Sequence, residues 1–400
     1  MNDQKLAIEG GKPVSDRPVP FMSLGLSRDD IAAATAVLES GMLRSSKKCE
    51  ELEQRFAGDS DAEMGFTCAN GTCALQLAYG ATLERGDEVI VPAWTFIATA
   101  SMLAAAGCKL VFCDVDPVTY QIDVADVARR ITPKTKAIAC THLYGMPVDI
   151  DAVEALAKKH NLRVIYDAAQ AHLATYKGKG IGAFGDAVTY SFYATKNLGT
   201  GEGGLVSTND KDVARKIGLL RSHGESGKYL HESIGFNYRM NDITGAIGCS
   251  KLDRLEDETN KRRAAAARYN EIISRIDGIE APGVTEGADA AWHLYTVRLI
   301  HEDFECTRDE FCAALIAEGV PNAVHYPRPL TRQPAFAEYV TDYPPVSEDL
   351  ATRVFCLPMH HSLSDEHFEI VEKALTKVAD RYRSETPVVS VRRGAAQPAG

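Results

Sequence analysis

Four hundred residues, 45% hydrophobic and 25% charged, make an ordinary globular composition long enough for two cores. The net charge of −11 argues against nucleic acid or anionic membrane as a general partner. No apolar run approaches the roughly 20 residues of a membrane span, and the start, MNDQKLAIEGGKPV, lacks the apolar stretch of a signal peptide, so a cytoplasmic enzyme is expected.

Residues 1–26 are rich in Gly and Pro and predict an extended arm. Residues 27–40 predict a helix, with Ser27 as its cap, Asp29 and Asp30 in its first turn and Gly41 past its end. From about residue 66 the short apolar runs VIVPAW, KLVFCDV, KAIACTHL and LRVIYDAA alternate with helical stretches such as 151–160. That alternation predicts an α/β unit over 27–250, a largely parallel sheet covered on both faces. DAVTYSF and GGLVSTN add two strands around the segment that carries Lys196. After about residue 250 the pattern changes to a long, charged, alanine-rich helix (DRLEDETNKRRAAAARYNEIISRI) that bridges two lobes. The strand AWHLYTVRL and two helices follow. One has Thr307 and Glu310 at capping-box spacing, and the other has Phe368, Val371, Leu375 and Val378 on one face. These predict a smaller α+β unit over 251–383, and 384–400 read as a mobile tail.

The ten cysteines are scattered without a CxxC pair, which favours reduced thiols over disulfides or a metal site. His360 and His361 are adjacent and point apart, so no metal is expected there. Gly180 to Gly185 matches GxGxxG, but a strand follows the motif where a helix is required, and a tight loop is the better reading.

Four features carry chemistry. A strand, MGFTC, leads into Asn70-Gly71-Thr72 and a helix-forming run, where backbone N–H groups can hold a phosphate and Thr72 can add a hydroxyl; an ordinary capped helix explains the same residues. Asp167 ends the strand LRVIYD, where open α/β sheets bind ligands, although a helix N-cap is the blander account. Phe96 and Trp94 follow another strand and offer either an aromatic face or core packing. Lys196 sits among aromatic residues and glycines, as a surface charge, a phosphate ligand or a covalent catalyst. Together a phosphate pocket, an aromatic face, a buried carboxylate and a lysine match the needs of pyridoxal phosphate.

The segments GGKPV, NGTCAL, GDEVIVPAWTFIATA, CDVDPVTYQID, HLYGMPVDID, YDAAQAHLA, GDAVTYSFYATKNLGTGEGG and GFNYRMNDITGAIG occur in this order. In them the chain resembles the DegT/DnrJ/StrS-type sugar aminotransferases, of the fold-type-I pyridoxal phosphate superfamily, from about residue 5 to 380. The resemblance implies a mostly parallel seven-stranded sheet in a large domain and a smaller C-terminal domain. It implies that Lys196 carries the cofactor as an internal aldimine and shuttles the proton, and that Asp167 partners the pyridine nitrogen. Gln170 is implied near the phenolic oxygen, Gly71, Thr72, Cys73 and Ser191 at the phosphate, and Phe96, with Trp94 weaker, against the ring. Asn237 is implied to reach the cofactor phosphate of a neighbouring subunit in a homodimer. Tyr144 and His325 are candidates for facing the acceptor or for packing between the lobes. Some relatives carry His at the lysine position and remove a hydroxyl; Lys196 favours transamination. The expected reaction moves an amino group from L-glutamate or L-glutamine to a nucleotide-linked keto-sugar by a ping-pong route. A keto-cyclitol acceptor is the alternative, ahead of a dehydratase or a non-catalytic regulatory protein of the same fold.

Overall fold

The computed structural model describes residues 5–384. The expected tail therefore lies outside the described residues except for Ser384.

Helix α1, Arg28–Ser40, starts where a capping box forms: Ser27 accepts from the Asp30 N–H, and the Asp30 carboxylate accepts from the Ser27 N–H. It ends at Gly41, in the left-handed region at φ 68°. Helix α2, Lys47–Asp59, was not anticipated from the sequence.

Strand β1 (Met64–Cys68) leads directly into α3 (Gly71–Thr82). Then β2 (Glu88–Pro92), α4 (Ile97–Ala105), β3 (Lys109–Cys113), α5 (Val124–Arg130), β4 (Thr135–Thr141), α6 (Ile150–His160) and β5 (Arg163–Asp167) alternate. Two further strands, β6 (Ala187–Ser191) and β7 (Gly204–Thr208), precede α7 (Lys211–Arg221).

The sheet has seven strands in the order β1-β7-β6-β5-β4-β2-β3. Strands β3, β2, β4, β5 and β6 run parallel, while β7 is antiparallel to both β6 and β1. The link between β6 and β7 holds no helix, so the chain returns antiparallel where a parallel crossover would need a dozen or more residues, usually helical. Val89, Val91, Ala139, Ile165 and Val206 pack on one face against α3 and α4. Ile90, Ile138, Val164, Tyr166 and Val188 pack on the other. Strands buried on both faces explain the continuous apolar runs. Gly180 to Gly185 forms the predicted loop, with a 3-10 turn at Ile181–Ala183 ahead of β6.

Helix α8 runs Asp242–Ile273, beginning at the Asn241 cap, ahead of the alanine-rich stretch. Its Leu252 and Leu255 pack in the core under the sheet. Its Ala265, Ala266, Tyr269, Ile272 and Ile273 pack in a separate C-terminal core. That core holds strands β8 (Tyr295–Leu299) and β9 (Val354–Leu357), paired antiparallel, with helices α9 (Arg308–Ala317) and α11 (Asp365–Tyr382). A further helix, α10, spans Pro345–Arg353.

The N-terminal segment is less extended than predicted. It makes a 3-10 turn at Ala7–Glu9 and buries Leu6 and Val19 in the C-terminal core. The buried Glu318 carboxylate accepts from the N–H groups of Ala7 and Val14 and pairs with Lys377. All ten cysteines are free and most are buried. Among the described residues no cluster of three metal-ligating side chains occurs, and no helix is long and apolar enough to cross a membrane.

Candidate active site

A cavity of about 440 Å³ opens at the carboxyl ends of β4, β5 and β6, where Thr141, Asp167 and Ser191 form part of its wall. Open parallel sheets place ligands at this edge.

Asp167 is almost fully buried. Its Oδ2 accepts from Thr99 Oγ1 at 2.6 Å and its Oδ1 from the Ala169 N–H at 3.0 Å. Burial pushes its pKa up, against these two hydrogen bonds and the Lys196 charge. Lys196 lines the same cavity. Burial lowers its amine from 10.5 to about 8, opposed by the Asp167 carboxylate. An amine titrating near neutrality is suited to covalent and proton-transfer work.

The turn after β6 aims the lysine. The Lys196 N–H donates to the Tyr193 carbonyl, and Ala194 N–H to the Gly201 carbonyl. A Cβ on Gly199 would lie 2.5 Å from the Ala194 oxygen, and Gly201 has φ 97°. The glycines thus let the chain fold back tightly; they do not cradle a nucleotide.

The start of α3 has the same local logic. Asn70 caps α3 by accepting from the Cys73 N–H at 2.9 Å. Gly71 and Thr72, the first two residues of the helix, keep N–H groups without intrahelical partners, and both line the cavity. A Cβ on Gly71 would sit 2.6 Å from Ser191 Cβ, so only glycine lets the helix start approach the end of β6. His172 supports that strand end, its Nε2 lying 2.8 Å from the Ser191 carbonyl oxygen.

Gln170 is oriented by its neighbours. Its Oε1 accepts from the Tyr144 N–H at 2.6 Å, which leaves Nε2 as the donor side, 3.4 Å from the Tyr326 hydroxyl. Phe96 is 52% exposed and lines the cavity, available to cover a flat ring.

Gly71, Thr72, Phe96, Asp167, Gln170, Ser191, Lys196 and His325 meet at the cavity. Four other candidates are placed elsewhere. Trp94 is buried, donating from Nε1 to the Tyr144 hydroxyl at 3.1 Å, so it is support and not a ring face. Tyr144 is also buried; its hydroxyl donates to the His325 carbonyl and is not free for a ligand. Cys73 is off the cavity wall, and its N–H is taken by Asn70. Asn237 is exposed and outside the cavity of its own chain. The sequence did not single out His293, Tyr326, Tyr193 or Glu202, which also line the wall. Tyr326 was legible only as the neighbour of His325, and His293 sat unremarked in AWHLYTVRL.

The residues present fit pyridoxal phosphate: a helix start open to an anion, a buried carboxylate for a ring nitrogen, an amide donor, an aromatic face and an amine of lowered pKa, all on one cavity.

Comparison with known proteins agrees. The chain belongs to the DegT/DnrJ/EryC1/StrS aminotransferase family, whose model matches residues 26–376, and it is an aminotransferase. It is 40% identical to a UDP-N-acetyl-3-dehydro-alpha-D-glucosamine 3-aminotransferase of Acidithiobacillus ferrooxidans, covering 88% of this chain and 94% of that one. It is 39% identical to a pleiotropic regulatory protein of Geobacillus stearothermophilus, over 91% and 99% of the two chains. The crystal structure of S. venezuelae DesV in complex with a ketimine intermediate superposes with a TM-score of 0.87 at 35% identity, over 91% and 99%.

Proposed function

We propose that this sugar aminotransferase uses pyridoxal phosphate to move an amino group from L-glutamate or L-glutamine to a keto group of a nucleotide-linked sugar, in two half-reactions on one site. The observation that carries this is Lys196 and Asp167 on one cavity wall beside the open start of α3. The names of sugar aminotransferases among its relatives support the acceptor class.

When bound, pyridoxal phosphate supplies an aldehyde for linkage to an amine and a protonated ring that withdraws electrons. The N–H groups of Gly71 and Thr72, with Ser191, would hold its phosphate. Asp167 would keep a proton on the ring nitrogen, and Gln170 Nε2 would offer a donor to the phenolic oxygen. Phe96 would cover the ring. Lys196 Nζ would be the amine that holds the aldehyde and the base that moves a proton at the substrate carbon. Its lowered pKa lets it serve as base near neutral pH. We further propose a cytoplasmic homodimer in which Asn237 reaches the partner's cavity, and a division into residues 27–250 and 251–383.

The test is turnover of a panel of nucleotide-linked keto-sugars and keto-inositols by the amine-loaded enzyme, read from return of the visible absorbance of the lysine-bound cofactor. A nucleotide-linked keto-sugar is expected to restore it; Lys196→Ala should abolish both band and turnover. Wild-type turnover in Lys196→Ala refutes the mechanism. Restoration by keto-inositols alone assigns the acceptor to the cyclitols. Failure of the purified protein to take up the cofactor would overturn the assignment of pyridoxal phosphate to this site.

A further inference from the structure

Two histidines line the cavity, His293 and His325. Only His293 has a ring whose protonation pattern its partners determine. Its Nδ1 lies 3.3 Å from Asn197 Oδ1. The Asn197 amide cannot be turned round, because its Nδ2 donates to the Ala291 carbonyl at 2.9 Å, and a carbonyl only accepts. Oδ1 therefore faces the histidine as an acceptor, and His293 Nδ1 must carry the hydrogen. The other ring nitrogen, Nε2, then holds a lone pair.

The ring is also kept neutral and in place. Burial lowers its pKa well below the ordinary value, and Lys196, Arg262, His172 and His325 push in the same direction. The His293 N–H donates to the Tyr144 carbonyl at 2.9 Å, and the Ala291 N–H to the Gly145 carbonyl. A Cβ on Gly145 would meet His293 N at 2.9 Å, so that glycine permits the close docking of the two segments.

We propose that His293 is a specificity-determining residue whose Nε2 accepts a hydrogen bond from a hydroxyl next to the reacting carbon of the acceptor sugar. This rests on the proposed keto-sugar reading. A bare lone pair in a neutral ring attracts a donor and repels an anion, so it does not suit the carboxylate of the amino donor or a phosphate. The Lys196 amine makes no hydrogen bond to it. The reaction brings two kinds of donor to the cavity, the nitrogen groups of the amino donor and the hydroxyls of the sugar; a sugar hydroxyl is the one assigned to Nε2, and paired acceptor substrates separate the two.

Two measurements test it. Long-range ¹H–¹⁵N spectra of the ¹⁵N-histidine-labelled enzyme, assigned with His293→Gln, should show the Nδ1–H tautomer for His293 from pH 6 to 8. An Nε2–H tautomer, or a protonated ring in that range, overturns the inference, whether or not any keto-sugar is a substrate. The second compares kcat/KM for paired nucleotide-linked keto-hexoses that differ by hydroxyl or hydrogen beside the carbonyl. Wild type should prefer the hydroxylated partner by about tenfold. His293→Phe should lose that preference, and His293→Gln, which offers an amide oxygen, should recover part of it. A preference unchanged in His293→Phe overturns the proposal. Should Phe fail to fold, an unchanged preference in His293→Leu does the same. Turnover of no keto-sugar at all would count against the keto-sugar reading, and the tautomer spectrum would still decide the state of the ring.

Discussion

Replacing Lys196 by Met should stabilise the cofactor-free protein while destroying its activity. The folded protein holds this amine at about 8, against 10.5 ordinarily, mainly through burial and in spite of Asp167. Each pH unit of difference corresponds to about 1.4 kcal/mol, so the buried charge costs about 3 kcal/mol at pH 7. The sign follows from proton counts. Below pH 8 the amine is charged in both folded and unfolded chains, and the whole cost is present. Between about 8 and 10.5 the unfolded chain binds the proton and the folded one does not, so stability rises with pH by about 1.4 kcal/mol per unit relative to the variant. Above 10.5 the cost is gone. The figure already includes the attraction of Asp167 for the ammonium, which offsets part of the cost of burial. Urea unfolding of both cofactor-free proteins at pH 7 and 9.5 measures the gap. It should be about 2–3 kcal/mol in favour of Lys196→Met at pH 7 and about 1 kcal/mol at pH 9.5. A variant no more stable than wild type at pH 7, or a gap that does not change with pH, would show that the amine is not charged at a cost, and the account of its reactivity would fall with it.

Gly71→Ala puts a Cβ 2.6 Å from Ser191 Cβ; the resulting overpacking should cost about 1–3 kcal/mol and weaken pyridoxal phosphate binding at least tenfold, read by unfolding and by cofactor titration. Asp30 is buried, which raises its pKa, but Arg254 and the Ser27 N–H overcome this and hold it at about 2 instead of 3.8. Its contribution of about 2 kcal/mol is present above pH 3.8 and lost as pH falls toward 2, so Asp30→Asn should be less stable by about that amount at pH 7, with the difference closing in acid unfolding. Thr99→Val removes a 2.6 Å donor that holds the Asp167 pKa down; the carboxyl should then titrate higher, seen in its infrared C=O stretch, and the acid limb of turnover should move to higher pH.

The sheet was legible because its strands are buried on both faces and read as apolar runs between helices. Asp167 stood out because it ends such a strand, and Lys196 because it lies in the glycine-bounded turn after another. What the sequence hid has physical reasons. The first turns of α8 carry Gly245 and Gly248, residues of low helix propensity. They are small because α8 packs closely on α2: a Cβ at Gly245 would meet Cys49 N at 2.9 Å, and one at Gly248 would meet Leu52 Cδ2 at 2.6 Å. His293 and Tyr326 reach the cavity from loops flanking the C-terminal core, with no local periodicity to announce them. For Trp94 and Tyr144 the sequence left open a cavity face or packing, because burial against a cavity and exposure within it leave the same apolar signature; the structure buries both.

Their burial points to how the site is built. Most of the groups that hold the cavity side chains lie behind its wall. Gln170 spends its oxygen on the Tyr144 N–H, so only its amide nitrogen faces inward. His325 is gripped at its carbonyl by the Tyr144 hydroxyl, itself fixed by Trp94. Asp167 takes one donor on each oxygen, from Thr99 and Ala169. His293 takes its tautomer from Asn197, the residue next to Lys196. The bonds to Gln170 and His293 each remove one of two orientations or protonation patterns, and so decide whether a donor or an acceptor faces the cavity. Substitutions in this outer layer should alter which sugar is accepted without removing any atom the sugar touches. Tyr144 stands out, since its N–H, carbonyl and hydroxyl hold Gln170, His293 and His325 respectively. A side-chain change there, such as Tyr144→Phe, leaves the two backbone bonds intact and frees the His325 carbonyl and the Trp94 Nε1–H, which separates that grip from the rest of the layer.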